Sequence, residues 1–309
     1  MPSAISQILV IGSLNVDLVT RVPRLPAPGE TVIGGTFHTA AGGKGANQAV
    51  ASARMGAPVA MIGRVGDDMF GAMARAELTR AGVDITHVRT DADAATGTGQ
   101  IVIDAAGQNS IAVASGANAR LSPADIDSAA AVWERAAVLV LQLEIPLDTN
   151  AAAIARATAL GIPVILNAAP AASFDDELRR AVSWLIVNEI EAAQRLRQPV
   201  SSIDEAMAAA AALGRLTPHV VVTLGAQGAV FTAGDSPRHV PAPPVAVVDT
   251  TAAGDAFVGA LAAALWRGES DDAALRAAVV AGSLACTKLG AIPSLPTIDE
   301  LRNFRTSSL

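Results

Sequence analysis

The sequence contains no tyrosine and only one cysteine, Cys286. A lone cysteine excludes an intramolecular disulfide and any metal site built from several cysteines, and in an apolar helical segment it is usually a small buried hydrophobic residue. No run reaches the roughly 18 to 20 uncharged apolar residues of a transmembrane helix, because the apolar segment Ala252–Trp266 is interrupted by Asp255. The N-terminus also lacks the pattern of a secretory signal. We therefore expect a soluble, cytoplasmic protein with no membrane partner.

Positive charge is also scarce, with 22 Lys and Arg residues against 29 Asp and Glu residues and a net charge of -7. A negative chain repels polyanions, so we expect no nucleic-acid partner, and any bound phosphate has to be held by local groups. The Walker A, GxGxxG, HExxH and GxSxG patterns are missing, which leaves P-loop, dinucleotide-binding, zinc-protease and serine-hydrolase interpretations without support.

Helix-length segments alternate along the chain with short apolar runs, which is the pattern of βαβ units and a parallel sheet. The first run, Ile8–Ile11, does not alternate with polar residues and suits a strand buried on both faces. We further expect one helix over 124–136 and a strand over 245–248. A second, small sheet is predicted from four short, partly alternating segments joined by turns. These are Leu18–Val22, Thr31–Ala40, Gly99–Asp104 and Asn109–Ala114.

The segment Asp249–Phe257 has the composition of a tight turn that opens a helix. The free backbone N–H groups of Ala253, Gly254 and Asp255 would converge there at the positive end of the helix and form an anion cradle. Asp255 has two interpretations, as a residue that favours the helix N-terminus or as a general base that accepts the proton of an attacking hydroxyl. This segment alone leaves both open.

Three further polar clusters follow predicted strands or open helices. They contain Asn15 with Asp17, the segment Gly42–Asn47, and Glu144. Lys44 and Asn47 offer directional hydrogen bonds to ligand hydroxyls, and the glycines beside them allow close approach of a small ligand. Each cluster also has a structural alternative, namely turn formation, a helix start or a carboxylate facing solvent.

Two other segments suit a nucleotide. Glu191, in the segment Asn188–Glu191, is a candidate to hold Mg²⁺ through water, or else an exposed acid in the first turn of a helix. Thr223–Gly228 is either a turn that passes under ATP phosphates or a plain hairpin turn.

In order and spacing, these motifs together resemble the ribokinase group of the PfkB-type carbohydrate kinase family. The matching segments are Gly12–Asp17, Pro28–Thr31, Gly42–Ala49, Ser115–Ala119, Asn188–Glu191, Thr223–Gly228 and Asp249–Asp255. The resemblance implies an α/β protein with a three-layer α/β/α core and a mostly parallel central sheet. It also implies one domain over residues 1–309, a β-sheet lid within about 15–40 and 97–115, and a homodimer formed through the lids.

The resemblance further implies ATP-dependent phosphorylation of D-ribose at O5, with Asp255 as the base and Ala253 and Gly254 beside it. Alternatives are a kinase for deoxyribose, another pentose or a nucleoside, or a catalytically silent sugar-binding protein. Ribose would be held by Asn15, Asp17, Gly43, Lys44, Gly45, Asn47 and Glu144, and ATP by Asn188, Thr223, Leu224, Gly225, Ala226, Gln227, Gly228 and Gly254. Mg²⁺ would be held through Glu191, and an activating K⁺ by Asp249, Thr251, Ala285, Lys288, Gly290 and Ser294.

The resemblance has one departure, at Asn167–Ala171, where alanine replaces a proline often found in related sequences. Because the chain also has no tyrosine to stack on adenine, we expect adenine to be held by aliphatic contacts.

Overall fold

A computed structural model describes residues 6–234 and 236–307. The strands in these residues are β1 Gln7–Ile11, β2 Asn15–Arg21, β3 Thr36–Gly42, β4 Val59–Gly66, β5 Asp84–Asp91, β6 Gly97–Ile103, β7 Asn109–Ala114, β8 Ala136–Gln142, β9 Val164–Asn167, β10 Trp184–Asn188, β11 His219–Thr223, β12 Ala229–Thr232 and β13 Arg238–Val240. The helices are α1 Lys44–Arg54, α2 Met69–Arg80, α3 Pro123–Ser128, α4 Ala130–Trp133, α5 Leu147–Ala159, α6 Asp176–Ala181, α7 Glu189–Leu196, α8 Ile203–Leu213, α9 Ala253–Trp266, α10 Asp271–Ala285 and α11 Ile298–Ser307.

The large sheet has nine strands in the order β13-β12-β11-β10-β9-β8-β1-β4-β5. Neighbouring strands from β5 to β11 are parallel, and only β12 and β13 at one edge run antiparallel. In β1, Ile8 and Val10 pack into one hydrophobic core, and Leu9 and Ile11 pack into another. Helices α1, α2, α9, α10 and α11 contribute to the first core, and α3, α4, α5, α7 and α8 contribute to the second. The sheet is therefore buried on both faces, and the predicted three-layer α/β/α class is confirmed.

The small sheet has the order β3-β2-β6-β7 and consists of the four predicted strands with shifted ends. Asp17 in β2 lies opposite Ala40 in β3 and Gly99 in β6, and Gly99 in turn lies opposite Val113 in β7. Residues paired across strands share a face of the sheet. Asp17 therefore marks one face, and Val113 is on that same face.

Two local predictions were wrong. The segment 124–136 contains two short helices, because the hydroxyl of Ser128 donates to the carbonyl of Asp125, the group that a continuous helix would offer to the N–H of Ala129. The segment 245–248 is not a strand, and Val247 and Val248 are exposed.

Strand β5 was not predicted. It lies at the edge of the large sheet and is only partly buried, so its sequence has no continuous apolar run. Among the described helices, none has the length and apolar character needed to cross a membrane.

Candidate active site

The large sheet has its topological switch point between β1 and β8. From β1 the chain continues through β4 to β5 on one side, whereas β8 leads through β9 and β10 on the other. Open α/β sheets bind ligands outside the carboxyl ends of the strands at such a point. Ser13 follows β1 and Glu144 follows β8, and the Ser13 hydroxyl donates to the Glu144 carboxylate, which also accepts from the backbone N–H of Lys44 at 2.9 Å. Glu144 thus joins the two strand ends and the start of α1.

Asp255 lies buried in the first turn of α9, 6% exposed. Its Oδ2 accepts from Asn47 Nδ2 at 2.8 Å and its Oδ1 from Gln48 Nε2 at 2.9 Å, both donors belonging to α1. No side-chain capping bond is present at the start of α9. The carboxylate therefore makes its hydrogen bonds to α1 and none to a free N–H of its own helix end, so Asp255 does not cap α9 through a side-chain bond, although its charge lies in the first turn of that helix.

The partly buried ammonium group of Lys44 interacts with the carboxylates of the crevice. Burial raises the pKa of Asp255, and Lys44 with the two amides of α1 lowers it in part. Burial lowers the pKa of Lys44, but the charges of Asp255, Glu144 and Glu191 outweigh it and raise the pKa above its usual value. Lys44 is therefore charged at neutral pH, and it lies in the wall of the cavity that Asp255 also lines.

The carboxylate of Asp17 accepts no hydrogen bond from any residue within the described ranges. Burial, with the charges of Glu144 and Asp255, raises its pKa to about 6. Gly42 and Gly99 lie against it, since a Cβ at Gly42 would be 2.8 Å from Oδ2 and one at Gly99 would be 2.6 Å from Oδ1. The glycines thus leave room for an open acceptor that suits the hydroxyl groups of a ligand.

Asn15 is held by Asn118, a residue to which the sequence assigned no role. Asn118 Nδ2 donates to Asn15 Oδ1 at 2.7 Å and to the carbonyl of Leu14 at 3.0 Å, and its Oδ1 accepts from the N–H of Leu14. These bonds leave the NH₂ group of Asn15 available for a ligand. The segment Ser115–Ala119 belongs to the family motifs, which is the signal that pointed to this position.

A cavity of about 240 Å³ is lined in part by Asp255, does not include Asp17 in its wall, and brings together residues predicted for both ligands. Its walls include Lys44, Asn188, Glu191, Thr223, Gly254 and Asp255. The other residues of the turn after β11, 224–228, are not in its wall.

The anion cradle differs from the prediction in one of its three N–H groups. The N–H of Ala253 donates to the carbonyl of Thr250 at 3.3 Å, whereas those of Gly254 and Asp255 have no acceptor among the described residues. Ala252 adopts a left-handed conformation, φ 60°, and turns the chain into α9. A Cβ at Gly254 would meet no atom within 4 Å, and Gly254 and Asp255 both line the cavity.

Asn188 and Glu191 form a capping box at the start of α7. Asn188 Oδ1 accepts from the N–H of Glu191, and Glu191 Oε2 accepts from the N–H of Asn188, both at 2.8 Å. Glu191 is 9% exposed, so the interpretation as an exposed acid was wrong. The capping bonds leave Asn188 Nδ2 and Glu191 Oε1 available at the cavity.

Thr223–Gly228 forms the hairpin turn between β11 and β12, closed by the bond from the N–H of Leu224 to the carbonyl of Gly228. Only Thr223 of this segment reaches the cavity wall.

The six residues predicted for K⁺ lie in two segments, 249–251 and 285–294, which are joined by a hydrogen bond between Asp249 and Gly290. The Asp249 carboxylate accepts from the N–H of Gly290 at 2.9 Å and from the N–H and hydroxyl of Thr251. The side chain of Lys288 pairs with Glu300, which leaves only its carbonyl for a site here. Ala285 ends α10, and Ser294 is fully buried. In the described parts of the chain, no group of three His, Cys, Asp or Glu side chains is arranged to hold a metal.

Residues 6–298 match the model of the pfkB family carbohydrate kinases. The chain belongs to this family. It is 38% identical to a ribokinase of Haemophilus influenzae over 96% of this chain and 97% of that one, and 40% identical to a ribokinase of Bacillus subtilis over 95% and 97%. It is also 37% identical to a deoxyribokinase of Salmonella typhi over 96% and 98%. The structure of Arabidopsis thaliana ribokinase complexed with ribose and ATP superposes with a TM-score of 0.89 and 33% identity over 97% and 98% of the two chains.

Proposed function

We propose that the protein is an ATP-dependent kinase that phosphorylates D-ribose at O5 and releases D-ribose 5-phosphate and ADP. One observation carries this proposal: the buried carboxylate of Asp255 lies between a crevice of open hydrogen-bonding groups and a cavity lined by Asn188, Glu191 and Thr223. The identity to ribokinases over nearly the whole chain supports it.

The sugar is proposed to bind beneath the small sheet, with Asn15, Asp17, Lys44, Asn47 and Glu144 around it. Asn47 Oδ1 is buried and has no hydrogen-bond partner, while Nδ2 of the same amide is held by Asp255. A buried acceptor without a partner is costly unless a ligand satisfies it. A sugar hydroxyl would supply that bond. Gly43 and Gly45 allow the start of α1 to lie close to the backbone that follows β1, since a Cβ at Gly45 would be 2.5 Å from the backbone nitrogen of Ser13.

In the proposed reaction, Asp255 accepts the proton of the 5-hydroxyl as that oxygen attacks the γ-phosphorus of ATP. The new O–P bond forms while the bond between the γ-phosphorus and the bridging oxygen breaks, and ADP leaves with the electron pair. The N–H groups of Gly254 and Asp255 stabilise the charge on the phosphoryl oxygens, and Asn188 Nδ2 donates to the nucleotide.

Glu191 fits Mg²⁺, because it is one buried carboxylate with a free oxygen at the nucleotide cavity, and Mg²⁺ is usually held by one or two carboxylates, waters and phosphates. When bound, the ion neutralises charge on the phosphates.

The proposal is tested by measuring ADP release from MgATP, in the presence of K⁺, with ribose, deoxyribose, fructose or adenosine as acceptor. We expect the highest kcat/KM with ribose and no release without Mg²⁺. Preference for deoxyribose would keep the mechanism and change the substrate, in line with the identity to a deoxyribokinase. Ribose binding without ADP release would instead favour a silent sugar-binding protein.

We also propose that K⁺ activates the enzyme through the two segments joined by Asp249. The carbonyls of Asp249, Thr251 and Gly290 accept no backbone bond from other described residues, and neutral oxygens of this kind suit K⁺. A bound ion would order the turn that carries the cradle of α9. Replacing KCl by NaCl at constant ionic strength should lower turnover several-fold. Equal turnover in the two salts would contradict this.

A homodimer through the small sheet is proposed as well, with that sheet acting as a lid over the sugar. Ile111 and Val113 on β7 are 54% and 59% exposed and lie on the face marked by Asp17. Adjacent exposed apolar side chains of this kind mark an interaction surface. Light scattering should show a dimer that the double change Ile111→Glu, Val113→Glu dissociates. Leu160→Glu, equally exposed at the end of α5, is the control. A monomeric parent would refute the dimer.

The enzyme is proposed to act in the cytoplasm, where ATP and K⁺ are concentrated. Recovery of the ADP-releasing activity in a membrane or secreted fraction would contradict this location.

A further inference from the structure

The side-chain amide of Gln48 is fully buried and bonded on both its nitrogen and its oxygen. Its Nε2 donates to Asp255 Oδ1 at 2.9 Å and to Asn167 Oδ1 at 3.0 Å, and its Oε1 accepts from Gln142 Nε2 at 2.8 Å. A flipped amide would place Oε1 against two oxygens and Nε2 against the donor of Gln142. The surrounding groups therefore determine its orientation.

Each partner of Gln48 belongs to a rigid element. Gln142 is the last residue of β8, and its carbonyl accepts from Asn150 Nδ2 at 3.0 Å. Asn167 is the last residue of β9. The Gln48 amide thus links the ends of β8 and β9 to the Asp255 carboxylate on α9.

Helices α1 and α9 lie unusually close together beside this network. A Cβ at Gly259, one turn after Asp255, would be 2.3 Å from the Cβ of Ala51 and 2.8 Å from the N–H of Ser52. The approach is possible only because residue 259 is glycine. It brings the amides of Asn47 and Gln48 within bonding distance of Asp255.

We propose that Gln48 is a positioning residue for Asp255 and that Gln142 fixes the orientation of Gln48. With Asn47 on Oδ2 and Gln48 on Oδ1, the plane of the carboxylate is determined, and one oxygen keeps a lone pair directed at the acceptor hydroxyl. The bond from Gln48 also favours the ionised carboxylate and so opposes the rise that burial causes in the pKa of Asp255. This inference rests on the proposed role of Asp255 as the base.

The test compares Gln48→Met with the parent across pH, following ADP release at saturating MgATP with ribose varied. We expect kcat to fall by about 10- to 100-fold at pH 7, the loss expected for one hydrogen bond to a buried charge. The KM for ribose should change little, and the acidic limb of the kcat profile should move to higher pH. A role in folding alone would not move that limb.

Gln142→Met should shift the profile in the same direction by a smaller amount, because it removes the bond that orients Gln48 without removing the donor to Asp255. The matched control is Ser52→Ala, since this buried hydroxyl donates to the backbone carbonyl of Gln48 at 2.8 Å and does not touch its amide. We expect its kcat and pH profile to match those of the parent.

An unshifted profile and unreduced kcat in Gln48→Met would overturn the inference while leaving the proposed function intact, provided that Asp255→Asn is inactive. If Gln48→Met does not fold, Gln142→Met decides, and an unshifted profile there overturns the inference. An active Asp255→Asn would instead remove the proposed function on which the inference rests.

Discussion

Asp255→Asn should lower the kcat for ribose phosphorylation by about 10²- to 10⁴-fold, the contribution usual for a general base. The change keeps the size of the side chain and removes its ability to accept a proton. It also replaces one oxygen by an NH₂ group, which would face the amide donor of Asn47 or Gln48. Because Asp255 lies at the end of the sugar crevice, we expect ribose binding, measured by calorimetry, to be largely retained.

Asp68→Asn provides the matched control for this experiment. Asp68 lies at the start of α2, as Asp255 lies at the start of α9, but its carboxylate accepts a capping bond from the N–H of Gly71 at 2.8 Å and two further bonds from the N–H and hydroxyl of Thr96. We expect this variant to lose about 1 to 3 kcal/mol of stability, because its capping bond and its bonds from Thr96 are weakened, and to keep its turnover. If Asp255→Asn fell by less than tenfold, or if both variants fell equally, Asp255 would not be the base.

The sequence predicted the parts of the site that depend on local pattern. Strand ends followed by polar residues are visible in a sequence, and the switch-point geometry then brings Asn15, Asp17, Glu144 and Asp255 to one crevice. The turn at Ala253–Asp255 was predicted from its small residues. The hydrogen bond from the N–H of Ala253 to the carbonyl of Thr250 was not predicted, because it depends on the left-handed conformation of Ala252.

The groups that hold the site residues in place could not be predicted in the same way. Asn118 bonds to Leu14 across 104 residues, and Gln48 bonds to Asp255 across 207 and to Gln142 across 94. A polar side chain in a helix or at a strand end has the same local pattern whether or not it has a distant partner. Strand β5 was missed for a related reason, because its pairing at the sheet edge leaves little apolar pattern.

Asp17→Asn should raise the KM for ribose by about 10²-fold. The Asp17 carboxylate has no partner among the described residues, so the sugar is its proposed donor, and one or two hydrogen bonds to a charged group contribute about 1.5 to 3 kcal/mol each. Turnover at saturating ribose should fall much less, since Asp17 does not touch the transferred phosphoryl group in the proposed mechanism. Asp104→Asn is the control. Its carboxylate accepts from the N–H groups of Ala106 and Gln108 in the exposed turn between β6 and β7, and its KM should be unchanged.

The pKa of Asp17, about 6, predicts a pH dependence of ribose binding that a simple loss of contact would not produce. Sugar hydroxyls favour the ionised carboxylate, so ribose binding should release a proton near pH 6 and none at pH 8, as read by calorimetry in buffers of different ionisation enthalpy. Affinity should fall as pH decreases below 6, and Asp17→Asn should abolish both effects. No proton release from the parent near pH 6 would contradict the role of Asp17.

The raised pKa of Asp17 also determines how the stability of the folded protein changes with pH. The folded chain binds the Asp17 proton more tightly than the unfolded chain, whose carboxyl has its ordinary pKa of 3.8. The stabilisation of the folded state by the protonated Asp17 carboxyl is therefore complete below pH 3.8 and is lost as the pH rises through about 6. At pH 8 the ionised, partly buried carboxylate of Asp17 destabilises the protein without sugar, so Asp17→Asn should raise the Tm there and have less effect at pH 5. A lower Tm at pH 8 would mean that Asp17 supports the fold rather than the substrate. The expected outcome, a more stable protein that binds ribose poorly, would show that the open carboxylate is maintained for binding at a cost in stability.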